Sequence, residues 1–558
     1  MIKVNNQLII LIFLISFFIY GPFIYKGGFG PQDDLVYVNQ ALGKTNIAQL
    51  TKDRVVYGTD YVASREVASR PVGMLGLTIA NVLFQDNPTP YIIIQLSLWI
   101  LCIINLSYTL KQTLGDRASL MFILLGQFPI FASTIVFSSF RFGEYGLSVF
   151  FWTLSLIFQH KYILNRRLYN YFTGYILLML GLLSLSIILP LLVISALLPI
   201  IYENKQINDS FKKDIIKYGW QYIFPVILVA FIFFIYKVYG IRLYNIDSIP
   251  KGLETGISIN SFIKCGYYFF VILFEVPIML IDVIPHLENW YILIILALVF
   301  SYFRTISNFK DKSLLKSKDS TNKLETQFIV LVTSTLAFGS VIFFISGYPT
   351  VTFGGYNRML LPSFLLLTII VSYCMCRTLN TKWIYMSIVI SFLWISSMNV
   401  QISNFVASWE IRHKVYKDWS SRMKNTNLGS KPYVLACVPF FTINNYNNEE
   451  VFLAHFYKAG LSMYGIDEVD GEVISWRSVS RNDNYMTVLN FPETFIKPEN
   501  LWYYEYDGTN SESKLEKINT QLQLDSKLKQ ITVNNINYHP IIFREKILMK
   551  FRALAMNN

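Results

Sequence analysis

Long apolar runs alternate with short polar segments over roughly the first 400 residues. Each run is close to the ~20 residues that a helix needs to cross the hydrocarbon core of a bilayer. A helix in a soluble protein is rarely apolar on every side, so this repetition predicts a polytopic membrane protein. The pattern predicts about eleven membrane helices, at residues 8–25, 91–110, 118–139, 146–163, two within 171–202, 219–239, 289–303, 328–346, 359–376 and 383–402.

Two apolar stretches are not predicted to cross the membrane. Residues 71–85 are too short for a span and end at Asp86-Asn87-Pro88, which predicts a helix lying on the membrane surface. Residues 267–284 contain Glu275 and Asp282. Because a charge that faces lipid is costly, that stretch is predicted to be interfacial or re-entrant.

A third stretch, residues 171–202, is too long for one span. Ser184, Ser186 and Pro190 lie near its middle. The stretch therefore predicts two short helices separated by a break, which the loop charges place at the outer face.

The charge pattern predicts the side that each loop faces. The net charge is +12, and the Lys and Arg residues collect in short loops between the apolar runs. By the positive-inside rule those loops are cytoplasmic, as is the N-terminus. Segment 26–90, with its surface helices, is then the first external loop, and the loop 347–358 is also external. Because this orienting role accounts for the positive charge, no nucleic-acid partner is predicted.

Residues 404–558 have a different, polar composition rich in Asn, Lys and Glu. Residues 431–441 and 485–491 are predicted strands, and 448–461 and 514–527 predicted helices. The predicted fold class is an all-α polytopic membrane protein with a small C-terminal α/β extracytoplasmic domain. The predicted domains are a transmembrane domain at 1–403 and a soluble domain at 404–558.

Two adjacent carboxylates, Asp33 and Asp34, follow a glycine-rich turn just after the first span. Adjacent acids repel, so one of them tends to hold a proton. A carboxylate at this level of the membrane could act as a general base on a head group. The alternative is an N-cap for a surface helix that starts at Asp34, since Asp is a preferred capping residue.

Further charged residues are predicted at the same boundary of the membrane. Arg70 precedes the surface helix, Glu144 lies in the second external loop, and Arg358 opens a late span. The planar fork of arginine binds two oxygens of a phosphate. Acids and arginines together therefore indicate a site for a phosphate-bearing lipid and a hydroxyl nucleophile.

This order of motifs over roughly residues 1–380 resembles the GT-C class of membrane glycosyltransferases. The closest likeness is to protein O-mannosyltransferases and lipid-A aminoarabinose transferases. Those enzymes have an acidic pair and a tyrosine in the first external loop, and a basic residue and proline before a surface helix. They also have an acid in the second external loop, and an arginine and proline at a late helix. The matching residues are Asp33-Asp34-Leu35-Val36-Tyr37, Arg70-Pro71, Glu144, and Arg358 with Pro362.

The resemblance implies an inverting transfer of a sugar from a polyprenyl-phosphate donor to a hydroxyl of a glycan or lipid acceptor. It implies that Asp33 is the base and that Asp34 and Glu144 orient the substrates. Arg358, with Arg70 or Arg65, would hold the donor phosphate. A bacterial plasma membrane, with the site and the C-terminal tail outside, is the implied location. No cofactor is certain, and a divalent cation is possible.

Two departures leave the substrate open. Those families often have a lysine in the outer turn of the broken helix pair, where this chain has Ser184-Leu185-Ser186. The acidic pair is Asp-Asp rather than Asp-Glu, and serotype-converting O-antigen glucosyltransferases of similar size belong to the same class. Glu275, Asp282 and His286 are secondary candidates for the site, with a structural role in a surface helix as the alternative.

Three rival functions stay open. A transporter or flippase for a lipid-linked sugar would have charges near the middle of its spans, which are almost free of them here. An O-antigen polymerase or ligase typically depends on a large external loop with several arginines. A receptor-like protein whose tail is the active part is the third alternative.

Overall fold

A computed structural model describes residues 6–29, 38, 41–48, 50, 70–137, 143–207, 211–243, 266–287, 289–308, 318–340, 359–379, 381–428, 432–437, 442–443, 449–450, 457–466, 470–473, 479–482, 485–488, 491–496, 501–506, 513–520, 523 and 526. The main helices within them are α1 (Asn6–Lys26), α2 (Pro71–Phe84), α3 (Pro88–Gly126), α4 (Thr134–Phe137), α5 (Tyr145–Asn165), α6 (Leu168–Ser184), α7 (Leu192–Ile207), α8 (Phe211–Leu243), α9 (Val276–Asp282), α10 (Asn289–Ser307), α11 (Lys318–Phe338), α12 (Leu361–Thr378) and α13 (Ile384–Lys424).

The described helices make the chain a helical integral membrane protein. Eight of them are long and apolar enough to cross a bilayer. Shorter apolar helices of 10–17 residues add to these, among them α2 and α6. The predicted polytopic membrane fold is therefore confirmed in its coarse form, while the count of about eleven spans stays a prediction.

Helix α3 reverses direction at Gly115, so it consists of two neighbouring helical segments, called its first and second legs below. Gly115 has a φ of 89°, which glycine adopts without the steric cost that a Cβ brings. The hydroxyls of Ser107 and Ser119 lie 2.7 Å apart, and Trp99 Nε1 donates to the Gln127 carbonyl at 3.1 Å. The predicted loop between spans 91–110 and 118–139 lies at this reversal.

The second leg is discontinuous, whereas the sequence predicted one unbroken span over 118–139. The helix ends at Gly126 and resumes at Thr134. Pro129 explains the interruption because it lacks an N–H and disfavours helical backbone in the residue before it. Side chains from neighbouring helices bind the released carbonyls: Tyr20 and Trp99 donate to Gln127, Trp394 to Leu125 and Phe128, Gln401 to Ile130, and Gln95 to Ile135.

The predicted break within 171–202 is confirmed. Helix α6 ends at Ser184, Leu185 is extended with a φ of −163°, and a 3₁₀ turn over Ser186–Leu191 leads into α7. At the opposite end of this hairpin, both oxygens of the buried Glu203 carboxylate accept hydrogen bonds from Arg166, at 2.5 and 2.7 Å. Tyr222 of α8 also donates to Glu203, at 2.6 Å, so three helices are tied together there.

The segment that the sequence predicted to be interfacial or re-entrant is helical from Gly266 to His286 and is one of the eight candidate spans. It contains a π turn over Val271–Glu275. Glu275 is 1% exposed, and Tyr267 donates to its carboxylate at 3.4 Å. The carboxylate therefore faces protein, which lowers the cost of a charge at this depth.

Helix α13 runs without a break through the predicted domain boundary at 403/404. The strands beyond it are β1 (Tyr433–Cys437), β2 (Thr442–Ile443), β3 (Glu449–Glu450), β4 (Asp470–Val473), β5 (Val479–Asn482), β6 (Tyr485–Val488), β7 (Phe491–Ile496), β8 (Leu501–Tyr506) and β9 (Ser513–Lys517), with helix α14 (Tyr457–Ser462) between β3 and β4. Four of them form a sheet in the order β4-β1-β8-β9, in which β1 pairs in parallel with β4 and β8. The predicted helix at 514–527 is wrong at its start, because residues 513–517 form β9 against β8.

Candidate functional site

Two of the predicted site residues, Arg70 and Glu144, are in contact. The Nη1 atom of Arg70 lies 3.1 Å from Oε2 of Glu144, although the two residues are 74 positions apart. Arg70 immediately precedes α2, and Glu144 immediately precedes α5. The Glu144 side chain is 0% exposed and that of Arg70 is 22% exposed. A buried carboxylate thus holds a guanidinium group that is partly open to its surroundings.

Close backbone packing between glycines brings the two residues together. A Cβ atom on Gly73 would lie 2.7 Å from the Ser184 carbonyl oxygen and 2.9 Å from that of Gly143. A Cβ on Gly143 would lie 2.3 Å from the Gly73 carbonyl oxygen. Only glycine fits at such approaches. The first turn of α2, the turn before α5 and the end of α6 therefore meet at one point.

The apex of the α6–α7 hairpin is fixed at the same point. Ser148 of α5 donates to the carbonyl of Leu185 at 3.0 Å, and the Leu185 N–H donates to Gly181 at 3.1 Å. The Leu185 N–H bond is the last of the α6 helix, and the Ser148 hydroxyl satisfies the Leu185 carbonyl where the backbone becomes extended. The apex carries Ser184-Leu185-Ser186, where the resembling families often carry a lysine. Arg70 lies one helical turn before Gly73, whose backbone touches the Ser184 carbonyl.

The first loop, which carries the acidic pair, begins after α1 at Gly28 and Phe29, and these two residues are called the root of the first loop below. Phe29 is buried. Its ring packs edge-on against Tyr91 and Trp409, with centroids 5.8 and 5.9 Å away. Its carbonyl accepts a hydrogen bond from Arg412 at 2.8 Å. Phe29 belongs to one apolar cluster with Val38, and with Met74 and Leu77 of α2. The root of the first loop and the helix that follows Arg70 therefore share a core.

The remaining predicted site residues lie outside the described part of the chain. They are Asp33, Asp34, Tyr37, Arg65 and Arg358. Their predicted roles stay predictions. Pro362, which the resemblance places after Arg358, lies in the first turn of α12.

The secondary candidates lie on the Gly266–His286 helix. Glu275 is buried in its π turn beside Tyr267. Asp282 ends α9 and His286 ends the following 3₁₀ turn, and both are partly exposed. Their participation in a site also stays a prediction.

Among the described residues, no group of three or more His, Cys, Asp or Glu side chains is arranged to hold a metal ion. Asp33 and Asp34 are not among those residues. The predicted possibility of a divalent cation is therefore untested.

Sequence reasoning missed Arg412, which is 1% exposed and contacts the root of the first loop. It lies in the segment that the sequence predicts to be a separate soluble domain, at 404–558. A signal was present, because Phe405, Trp409, Arg412, Tyr416 and Trp419 recur at the three-to-four spacing of one helix face.

Among the described residues, Arg70 has a fixed orientation at the point where α2, the turn before α5 and the end of α6 meet. Such a guanidinium is suited to binding the oxygens of a phosphate, because a buried carboxylate already orders it. No protein-family model, no curated protein and no solved structure matches this chain.

Proposed function

We propose that this protein is a membrane glycosyltransferase that moves a sugar from a polyprenyl-phosphate donor to a hydroxyl of a glycan or lipid acceptor. The observation that carries the proposal is the contact between Arg70 and Glu144. It joins the first and second predicted external loops beside the apex of the broken helix pair. An arginine at this position has the chemistry to bind the donor phosphate, which supports the proposal.

Burial assigns different tasks to the two residues. Glu144 is fully buried against Arg70, so it acts by positioning the guanidinium rather than by touching a substrate. Arg70 is partly exposed and has the chemistry to contact the donor phosphate. This changes the role of Glu144 from orienting a substrate directly to orienting the residue that binds it.

The two described residues that flank the acidic pair, Phe29 and Val38, are anchored near this corner. Asp33 and Asp34 lie in the segment between Phe29 and Val38, whose side chains share an apolar cluster with Met74. The Met74 N–H in turn donates to the Arg70 carbonyl at 2.9 Å. Each acid is four positions along the chain from its nearer anchor, which is roughly 14 Å at full extension. This short tether supports placing the acids and Arg70 in one site.

In the proposed reaction, Asp33 accepts the proton of the acceptor hydroxyl. The hydroxyl oxygen bonds to the anomeric carbon as the bond from that carbon to the phosphate oxygen breaks, and the configuration inverts. Polyprenyl phosphate leaves with the bonding electrons, and Arg70 and Arg358 balance its charge. A lipid phosphate is a good leaving group, so no strong general acid is needed.

The sidedness of the site belongs to the same proposal. Lys111, Arg117 and Arg166 lie at the end of the bundle opposite Arg70, and Arg117 donates to the Ser307 carbonyl there at 3.1 Å. Basic loops favour the cytoplasm. The Arg70 corner is then extracytoplasmic, which suits the modification of a surface glycan in a bacterial envelope.

The discontinuous leg between Gly126 and Thr134 is the feature that would favour a transporter, since broken helices line many transport sites. Here its carbonyls at residues 125, 127, 128 and 130 already accept hydrogen bonds from buried Trp, Tyr and Gln side chains. Those carbonyls already have hydrogen-bond donors within the protein and are not left to bind a transported substrate. The break therefore gives no support to transport.

The proposal is tested with the purified protein in lipid nanodiscs, supplied with polyprenyl-phosphate-linked hexoses, deoxyhexoses and pentoses and with an extract of surface glycans. We expect one donor to be converted to free polyprenyl phosphate. Glu144→Gln should slow that conversion about tenfold or more, because Arg70 loses its orientation.

The matched control is Glu325→Gln, which removes the carboxylate of another arginine ion pair, with Arg377. This change should leave the rate within about twofold of wild type, as expected for a partly exposed pair. Equal rates for wild type and Glu144→Gln, or no conversion of any donor by the wild type, would overturn the proposal.

A further inference from the structure

One face of helix α13 connects the membrane bundle to the C-terminal sheet. Its large side chains follow each other every three or four residues, at Phe405, Trp409, Arg412, Tyr416 and Trp419. This spacing places them on a single stripe of the helix. The stripe begins against Phe23 of α1, whose ring centroid lies 5.4 Å from that of Phe405.

The middle of the stripe holds the root of the first loop. A Cβ atom on Gly28 would lie 2.0 Å from ring atoms of Trp409, so the Gly28 backbone rests directly on the indole. Arg412 is buried, donates to the Phe29 carbonyl at 2.8 Å, and lies over the Trp409 ring at 5.5 Å. Helix α13 therefore contacts the backbone of two consecutive loop residues.

The far end of the stripe holds the C-terminal sheet. Trp419 stacks on Tyr504 of β8 with an interplanar angle of 6° and centroids 5.1 Å apart. The Tyr504 hydroxyl donates to Asp418 at 2.8 Å, and burial and this carboxylate both raise the pKa of Tyr504. A Cβ on Gly460 would lie 2.3 Å from the Tyr416 ring, so helix α14 is also seated on the stripe.

We propose that Arg412 is a positioning residue for the first loop, on a helix against which the C-terminal sheet also packs. The inference rests on the proposed function in one respect, namely that the loop carries the reacting base. The contacts that support it are those of Gly28 and Phe29 with Trp409 and Arg412.

The chemistry of the residue supports a positioning role over simple packing. Burying a guanidinium is costly unless it is well paired, and an apolar residue of similar size would fill the space at lower cost. The hydrogen bond from Arg412 fixes the orientation of the Phe29 carbonyl, because hydrogen bonds are directional. Apolar contacts are not directional and would not fix that orientation. The structure thus retains a charged group where it orients the backbone.

Hydrogen–deuterium exchange on the full-length protein in nanodiscs tests this inference. Arg412→Gln should raise exchange in peptides that contain Gly28 and Phe29, while peptides of β1 and β8 keep wild-type protection. Lys414→Gln is the matched control, since it removes one positive charge from an exposed position two residues away. That control should leave the exchange of the loop peptides unchanged.

Gly28→Ala perturbs the same contact from the other partner, because its Cβ would collide with Trp409. It should raise exchange in the same peptides. In the transfer assay, both variants should lower kcat by about tenfold to a hundredfold, as expected for a misplaced reacting group. The KM for the donor should stay within about twofold, since Arg70 is not displaced.

Wild-type exchange of the loop peptides in both variants would overturn the inference. If Arg412→Gln lowers protection in β1 and β8 as well, the variant is generally destabilised. Gly28→Ala then decides the question, because Gly28 contacts Trp409 and not the sheet. If the wild type transfers no sugar, the proposed function fails while the exchange result still decides whether Arg412 positions the loop.

Discussion

At the scale of single residues, the ion pair of Arg70 and Glu144 illustrates what the sequence could and could not predict. The residue types and their order indicated that both lie at one boundary of the membrane. The contact itself depends on Gly73 and Gly143, which let two backbones approach at a distance that no other residue permits. Such an approach involves residues far apart in sequence and leaves no local pattern, so sequence reasoning could not specify which acid meets which arginine.

The unequal burial of this pair predicts an unequal effect of removing each partner. Arg70→Gln leaves a fully buried carboxylate without its cation, whereas Glu144→Gln leaves a guanidinium that is 22% exposed and can be hydrated. Losing the charge partner of a buried group costs about 3–5 kcal/mol, and losing a partner from a more exposed group costs less. Thermal unfolding in detergent should therefore show the larger decrease in stability for Arg70→Gln. Equal decreases, or the reverse order, would contradict the buried state of Glu144.

At the scale of elements, hydropathy predicted where most membrane helices lie but not how they are interrupted. An apolar run of sufficient length is compatible with either a continuous or a broken helix, so the gap between Gly126 and Thr134 was missed. Gln95, Gln127 and Gln401 lie within predicted spans, and a polar amide inside the bilayer needs a partner. Two of these amides supply donors to the released carbonyls. In contrast, the break at Ser184 was predictable because length, serines and proline all indicated it.

The caps on this gap can be tested individually. Trp394 donates to the carbonyls of Leu125 and Phe128 at 3.2 and 3.0 Å. Trp394→Phe keeps an aromatic ring but removes the N–H, so the two carbonyls keep only their backbone bonds from Phe128 and Ile130, and the loss is about 1 kcal/mol. The thermal midpoint in detergent should fall. Trp383→Phe, at an indole that is 54% exposed, should change it little, and a similar fall in both variants would show that the hydrogen bonds are not the cause.

At the scale of the whole molecule, a single helix of 41 residues, α13, contacts both the membrane helices and the C-terminal sheet. The sequence predicted a boundary at 403/404 because composition changes there. However, composition changes where a segment passes from one environment to another. A helix can leave the membrane without ending there, so the change in composition does not mark the end of α13. The stripe from Phe405 to Trp419 is the feature that links the two regions and the first loop.

The central claim is that this molecule transfers a sugar with an aspartate of the first loop as base. The most direct measurement is the mass of surface glycans from cells that carry the wild-type gene, the Asp33→Asn variant, or neither. A hexose-, deoxyhexose- or pentose-sized increment found only with the wild type is the predicted result. Identical glycans in all three, with a lipid-linked sugar accumulating in the membrane, would contradict transfer and favour transport or polymerisation.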